Sequence, residues 1–197
     1  MLSELGLRVQ LGHDGRPCPC PSRGLQNFLV FDLSGAHPVN ADYCNCNPTQ
    51  PLDRRVQLLR KRWFPATFLR PQTVFTFDLL ETFHELTLQA KTNPYDFYHT
   101  IIRKTDNANL NPSIVGYFLF RPPLHVISYS FDQYRYPEMH RAFHLWRNLM
   151  ALKRAGMGHN PSGIDGTPPG ALTVECPACP HPNRNIPTGW ENSGPLL

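Results

Sequence analysis

Two Cys-x-Cys pairs, Cys18-Pro-Cys20 and Cys44-Asn-Cys46, constrain the fold of this chain more than any other feature. Thiolate and imidazole groups are the usual ligands of a tetrahedral zinc ion, and His37 lies between the two pairs. Five candidates compete for four positions. We expect zinc as a cofactor bound by Cys18, His37, Cys44 and Cys46, with Cys20 as the alternative ligand. The competing interpretation is a set of buried free thiols beside a surface histidine.

Short strand-like stretches surround these cysteines. Residues 7–12 (LRVQLG), 28–33 (FLVFDL) and 39–43 (VNADY) mix apolar and polar positions, and Gly and Pro lie between them. A strand meander this small buries little apolar area, so it needs a stabilising cross-link such as a bound metal ion. We therefore predict a Cys/His zinc-binding β module over residues 1–50.

Helical patterns dominate the next part of the chain, residues 51–158. Residues 52–63 suit a helix with a basic face, and three further helices are predicted from apolar residues at helical spacing. These three helices are expected at 76–91, 95–104 and 137–154. Asn93-Pro94 separates the first two, because Pro cannot continue one helix but is favoured at the start of the next.

A Pro- and Gly-rich tail follows at residues 159–197 and carries a Cys-x-x-Cys knuckle, Cys176-Pro-Ala-Cys179, with His181 nearby. The knuckle supplies two or three ligands, so a second metal site there needs further ligands from another segment. The alternative is an exposed cysteine pair. The predicted fold class is α+β: a small zinc-stabilised antiparallel β module followed by a helical segment and a loop-rich, cysteine-containing tail.

Compartment and charge limit the function classes. The sequence has no apolar run of about 18 residues and no apolar signal core at its start, so we expect an intracellular protein without a membrane span. Paired cysteines in a reducing compartment indicate metal ligands before disulfides. The net charge of +4 permits nucleic-acid contact without requiring it. Residues 54–62 could contact phosphates, or they could be an ordinary basic helix end.

Several stretches, taken together, resemble one family. They are LGLRVQLGH at 5–13, FDLSGAH at 31–37, YCNC at 43–46, WFPAT at 63–67, RPQT at 70–73, FTFDLL at 75–80 and CPACP at 176–180. This combination resembles the CxC-type cysteine-cluster domain associated with KDZ (Kyakuja–Dileera–Zisupton) transposases.

The resemblance implies a non-catalytic accessory region of a DNA-transposon transposase, in a fragment lacking the nuclease core. No catalytic residue is carried over, so we expect no enzyme activity. The implied partners are DNA and other transposase segments or subunits, and the implied location is the nucleus. Two alternatives remain open: a decayed transposon remnant without activity, and a metal-dependent nuclease.

Residues 115–133 interrupt the resemblance with a stretch rich in aromatic residues, VGYFLFRPPLHVISYSFDQ. Every Val codon begins with GT and a Gln codon can end in AG, the borders that an intron requires. The stretch spans 133 − 115 + 1 = 19 codons, which keeps the reading frame. We predict a retained intron here. The alternative is a genuine surface insertion loop.

Overall fold

The chain forms two compact units, Met1–Arg147 and Asn148–Leu197. The computed structural model describes residues 7–13, 16–24, 28–47, 52–107, 134–168, 170–173, 176, 178–181, 185–186 and 188–192. Within these residues the first unit combines a six-stranded sheet with helices, which confirms the predicted α+β class. The insertion expected at 115–133 lies outside the described residues.

The sheet is mixed, whereas the sequence suggested an antiparallel module. Its strands are β1 (Arg8–Gln10), β2 (Pro21–Arg23), β3 (Phe28–Asp32), β4 (Gly35–Cys44), β5 (Trp63–Pro65) and β6 (Thr73–Thr76). Their order is β1-β4-β3-β6-β5, and β2 also pairs with β4. The β1–β4 and β3–β6 pairs are parallel, and the other three pairs are antiparallel. Alternation along a short strand indicates its faces but not the direction of its partner.

Strand β4 organises the sheet, because it pairs with β1, β2 and β3. Its first half pairs with β3, and its second half lies between β1 and β2, so that Asp42 is in register with both Gln10 and Arg23. One buried cluster packs against these strands: Leu11, Phe28, Val30, Val39, Ala41, Tyr43, Leu58 and Val74. The cysteine-bearing end of β4 is therefore anchored on a packed core.

The described part of the chain contains four α-helices, each close to a position predicted from the sequence. They are α1 (Arg54–Arg60), α2 (Phe77–Gln89), α3 (Pro94–Thr105) and α4 (Tyr136–Arg154). Thr76 caps α2 by accepting a hydrogen bond from the Leu79 N–H at 3.3 Å, and Asn93 caps α3 through the Asp96 N–H at 2.8 Å. Both caps are local side-chain signals that the sequence shows directly.

Strands β5 and β6 were not predicted. Three and four residues are too few to show a period, but both strands join the sheet, which therefore continues past residue 50.

Aromatic contacts hold three of the helices together. The Phe83 ring of α2 lies 4.6 Å from the Phe97 ring of α3 and 4.4 Å from the Phe143 ring of α4. Burial of these aromatic rings joins α2, α3 and α4 within the first unit.

The second unit contains the end of α4 and 3-10 helices at Met157–His159, Gly163–Gly166 and Trp190–Asn192. Its cysteines, Cys176 and Cys179, are exposed. No helix among the described residues is long and apolar enough to cross a membrane.

Candidate metal centre

The segment that follows β1 brings His13 to the end of β4. Leu11 is fully buried and its N–H donates to the Asp42 carbonyl at 2.8 Å, which extends the pairing of β1 with β4. Gly12 then turns the chain with a φ of +89°, and a Cβ atom at this position would lie 2.8 Å from the Cys44 Cβ atom. Only glycine allows so close an approach in this conformation. The turn places the His13 imidazole beside Cys44.

Cys18 lies further along the same connection, between β1 and β2. Its side chain is buried, and its backbone N–H donates to the Gln10 Oε1 atom at 2.6 Å. The hydrogen bond ties the connection back to β1. Cys18 is thus held at a fixed position although it lies outside any strand.

The other two cysteines belong to the end of β4 and the residues just after it. Cys44 is the last residue of β4, in register with Pro21 of β2. Beyond it, the Asn45 N–H donates to the Cys20 carbonyl at 3.1 Å, so the antiparallel pairing continues to the position before Cys46. Cys20 itself is exposed.

Four ligand atoms meet where these segments converge. Those of His13, Cys18, Cys44 and Cys46 all lie within 4.8 Å of one another. The His13 Nε2 atom is 3.2 Å from the Cys44 Sγ atom and 3.1 Å from the Cys46 Sγ atom, and the Cys18 and Cys46 Sγ atoms are 3.5 Å apart. Zn–N and Zn–S bonds of about 2.0 and 2.3 Å give tetrahedron edges of roughly 3.3–3.8 Å. The cluster is therefore close in size to a zinc tetrahedron.

The structure brings together three of the four expected ligands, but not His37. That residue lies on β4, opposite Val30 of β3, and its Nε2 atom is 2.9 Å from the Ser34 Oγ atom. Seven residues of extended strand, at about 3.3 Å each, carry it some 23 Å from Cys44. The imidazole in the cluster is that of His13, and the alternative ligand Cys20 is not in the group either.

Sequence reasoning missed His13 because it favoured the histidine that lies between the two cysteine pairs, whereas His13 lies before the first pair, five residues from Cys18. The available signal was Gly12, since a glycine directly after a strand-like run indicates a sharp turn. What the sequence could not show was the parallel pairing of β1 with β4, which decides where that turn points.

The pKa values of two thiols in the cluster, Cys18 and Cys46, are shifted in opposite directions. Burial raises the pKa of Cys18, but hydrogen bonds from the Cys20 backbone and from the Cys46, Cys44 and His13 side chains outweigh it and lower that pKa to about 7. Burial, hydrogen bonds to Cys18 and Cys44, and the neighbouring Cys18 charge raise the pKa of Cys46 to about 12. One thiolate thus opposes formation of the next. A divalent cation at the centre would stabilise all the thiolates together.

An ion pair next to the cluster joins three segments. Asp42 is buried and accepts hydrogen bonds from the Arg8 Nε atom at 2.8 Å and the Arg8 Nη2 atom at 2.6 Å. It also accepts one from the Gly24 N–H at 3.2 Å. The hydrogen bonds from Arg8 hold the pKa of the Asp42 carboxyl below its usual range. This contact keeps β1 aligned with the end of β4.

The cysteines of the tail are close to each other. The Cys179 N–H donates to the Cys176 carbonyl at 3.2 Å, and a hydrogen bond from the Cys179 side chain lowers the pKa of Cys176. The His181 Nε2 atom lies 3.1 Å from the Cys176 carbonyl oxygen. Among the residues that the structure describes, the cluster around His13 is the one group of three or more potential metal ligands. Among the described residues, the tail therefore supplies two thiols for a second metal site and no third ligand close to them.

Comparison with known proteins agrees with the cysteine pattern. A family model described as a CxC2 like cysteine cluster associated with KDZ transposases matches residues 2–109, more than half of the chain. The matched range contains every residue of the four-ligand cluster. No curated protein matches the chain, and no solved structure does.

Proposed function

We propose a function for this chain that starts from its family: it belongs to the CxC2-like cysteine clusters associated with KDZ transposases. The chain is a zinc-stabilised accessory module of such a transposase. In this proposal His13, Cys18, Cys44 and Cys46 bind one zinc ion. The ion joins the connection after β1 to the end of β4. The module acts by binding DNA or other transposase segments, and its place of action is the nucleus.

The convergence of four soft or borderline ligand atoms within 4.8 Å carries this proposal. Two segments distant in sequence supply them, the connection between β1 and β2 and the end of β4, and they meet at that end of β4. Three thiolates and one imidazole form a ligand set typical of structural zinc sites, which have no open coordination position. A closed site of this kind supports folding rather than chemistry, which is why we propose a non-catalytic role.

Elemental analysis of the purified chain tests the metal proposal. We expect about one zinc per chain from this closed four-ligand site, and loss of that zinc in Cys44→Ser. Cys20→Ser is the matched control, because this cysteine is two positions from Cys18 but exposed and outside the cluster. A wild-type chain that binds no zinc after refolding with the metal would contradict the proposal. Equal zinc loss in the two variants would contradict the ligand set.

The competing function is a metal-dependent nuclease. It predicts cleavage of DNA that depends on an added divalent metal and survives stringent purification. The accessory role predicts no cleavage under the same conditions, with a known nuclease as the positive control. A decayed remnant predicts a chain that neither binds zinc nor folds cooperatively.

The proposed DNA contact uses the basic stretch of residues 54–62, whose charges are partly neutralised within the chain. Arg55 pairs with Asp53, and the Arg62 Nη2 atom lies 2.8 Å from an Asp78 carboxylate oxygen. Arg60 and Lys61 are exposed and remain as candidates for phosphate contact. Few such contacts give weak binding that is insensitive to sequence.

Salt dependence distinguishes DNA binding from protein assembly. If phosphates are contacted, affinity for duplex DNA falls steeply as salt rises, and replacing Arg60 and Lys61 by Ala reduces that slope by about 2. An affinity that does not change between low and moderate salt rejects the contact. Such a result would favour assembly with other transposase segments.

A further inference from the structure

We infer that Gln57 positions the metal ligand Cys44, an inference that rests on the zinc site proposed above. Gln57 lies on α1 and is 1% exposed, although an uncharged polar side chain is costly to bury. It contributes no ligand atom to the cluster. Its role is to hold the backbone of a residue that does.

The Gln57 carboxamide makes two bonds to the same backbone residue. Its Oε1 atom accepts from the Cys44 N–H at 2.7 Å, and its Nε2 atom donates to the Cys44 carbonyl at 3.1 Å. Nε2 also donates to the Leu52 carbonyl at 3.0 Å. The carboxamide thus occupies the hydrogen-bonding position that a neighbouring strand would take beside Cys44. With both backbone groups satisfied, the orientation of the Cys44 residue is restrained.

Glutamine is suited to this position by its chemistry. A carboxamide offers an acceptor and two donor hydrogens on one rigid plane, so a single side chain can satisfy an N–H and two carbonyls. A carboxylate would face the two carbonyl oxygens with no hydrogen to donate. An apolar side chain of the same length would leave the Cys44 N–H and carbonyl without these partners, which costs free energy wherever water cannot replace them.

The contact also links the metal site to the basic helix. Leu58, the next residue, is fully buried in the core cluster, so α1 is anchored on the side that carries Gln57. Asp53 caps the same helix by accepting from the Arg55 N–H at 2.8 Å. An ordered Cys44 therefore restrains α1, and an ordered α1 restrains Cys44. Groups that orient metal ligands typically change metal affinity about 10–100-fold when they are removed.

Competition with a chromophoric chelator measures the effect on the full chain. Gln57→Met keeps the length of the side chain and removes all three hydrogen bonds. We expect its zinc dissociation constant to rise at least about tenfold, and the d–d absorption of the Co²⁺-substituted protein to shift, because that absorption reports ligand geometry. Gln57→Asn, which keeps the amide but is one methylene shorter, should change both readouts in the same direction.

Leu58→Ala is the matched control. It removes a buried side chain from the adjacent position of α1 and lowers stability, but it leaves the Gln57 hydrogen bonds in place. It should leave the Co²⁺ spectrum unchanged. A Gln57→Met protein with the zinc affinity and spectrum of wild type, or with those of Leu58→Ala, overturns the positioning role. Absence of zinc from the wild type instead contradicts the metal site itself, so the two failures are distinguishable.

Discussion

Replacement of His13 and of His37, each by Ala, separates the two histidines as candidate zinc ligands. His13 places its Nε2 atom 3.1 Å from the Cys46 Sγ atom and 3.2 Å from the Cys44 Sγ atom. His37 is bonded to Ser34 instead. We expect His13→Ala to weaken zinc binding strongly and His37→Ala to leave it unchanged.

The magnitude follows from the number of ligands. Structural zinc sites bind with about 10–16 kcal/mol, so each of four ligands accounts for roughly 2.5–4 kcal/mol if the contributions are equal. Loss of His13 should therefore raise the zinc dissociation constant roughly 10²- to 10³-fold. His37→Ala removes one hydrogen bond to Ser34 near the surface, which is worth about 0.5–1.5 kcal/mol of folding stability. It should leave the zinc dissociation constant unchanged.

The assay is competition for zinc against a chelator of known affinity, with both variants compared at equal protein concentration and pH. Circular dichroism before and after zinc addition checks that each variant folds. The reasoning is refuted if His37→Ala loses zinc and His13→Ala keeps it. It is also refuted if both variants bind zinc with wild-type affinity, since the site would then have three protein ligands.

Three further predictions concern the ion pair, the tail and the insertion. Asp42→Asn should destabilise the fold by about 1–3 kcal/mol near neutral pH. Because the folded-state pKa of Asp42 is lowered by Arg8, this contribution is present above the unfolded pKa of about 3.9 and is lost as pH falls through the folded value. Denaturant titrations at several pH values should show the difference between variant and wild type shrinking in acid, and a constant difference would contradict the assignment. If the tail knuckle is a second site, replacing Cys176 and Cys179 by Ser should lower the zinc content while the first site stays occupied; an unchanged zinc content rejects it. If residues 115–133 are a retained intron, a chain without them should melt at or above the wild-type temperature, and mature transcripts should lack these codons; a marked drop in melting temperature together with uniform retention in transcripts would show a genuine insertion.

The sequence by itself determined the features that depend on residue type and near neighbours. Cys18, Cys44 and Cys46 were identifiable as candidate metal ligands because metal affinity is a property of the thiolate. The starts of α2 and α3 were predicted to within one residue, because apolar spacing and the Asn93-Pro94 pair mark them locally, and in the structure Thr76 and Asn93 cap them. The family could be recognised for the same reason, since its motifs are short and contiguous.

Tertiary structure alone decided which imidazole joins the cysteines and what Gln57 does. His37 is nearer to Cys44 along the chain, but an extended strand separates them, whereas parallel pairing of β1 with β4 brings His13 to the same edge. The two bonds of Gln57 to Cys44 likewise exist because α1 packs beside the end of β4. Both outcomes depend on which distant strands and helices pair, and that choice follows from the free energy of the whole core, which no local pattern of residues contains.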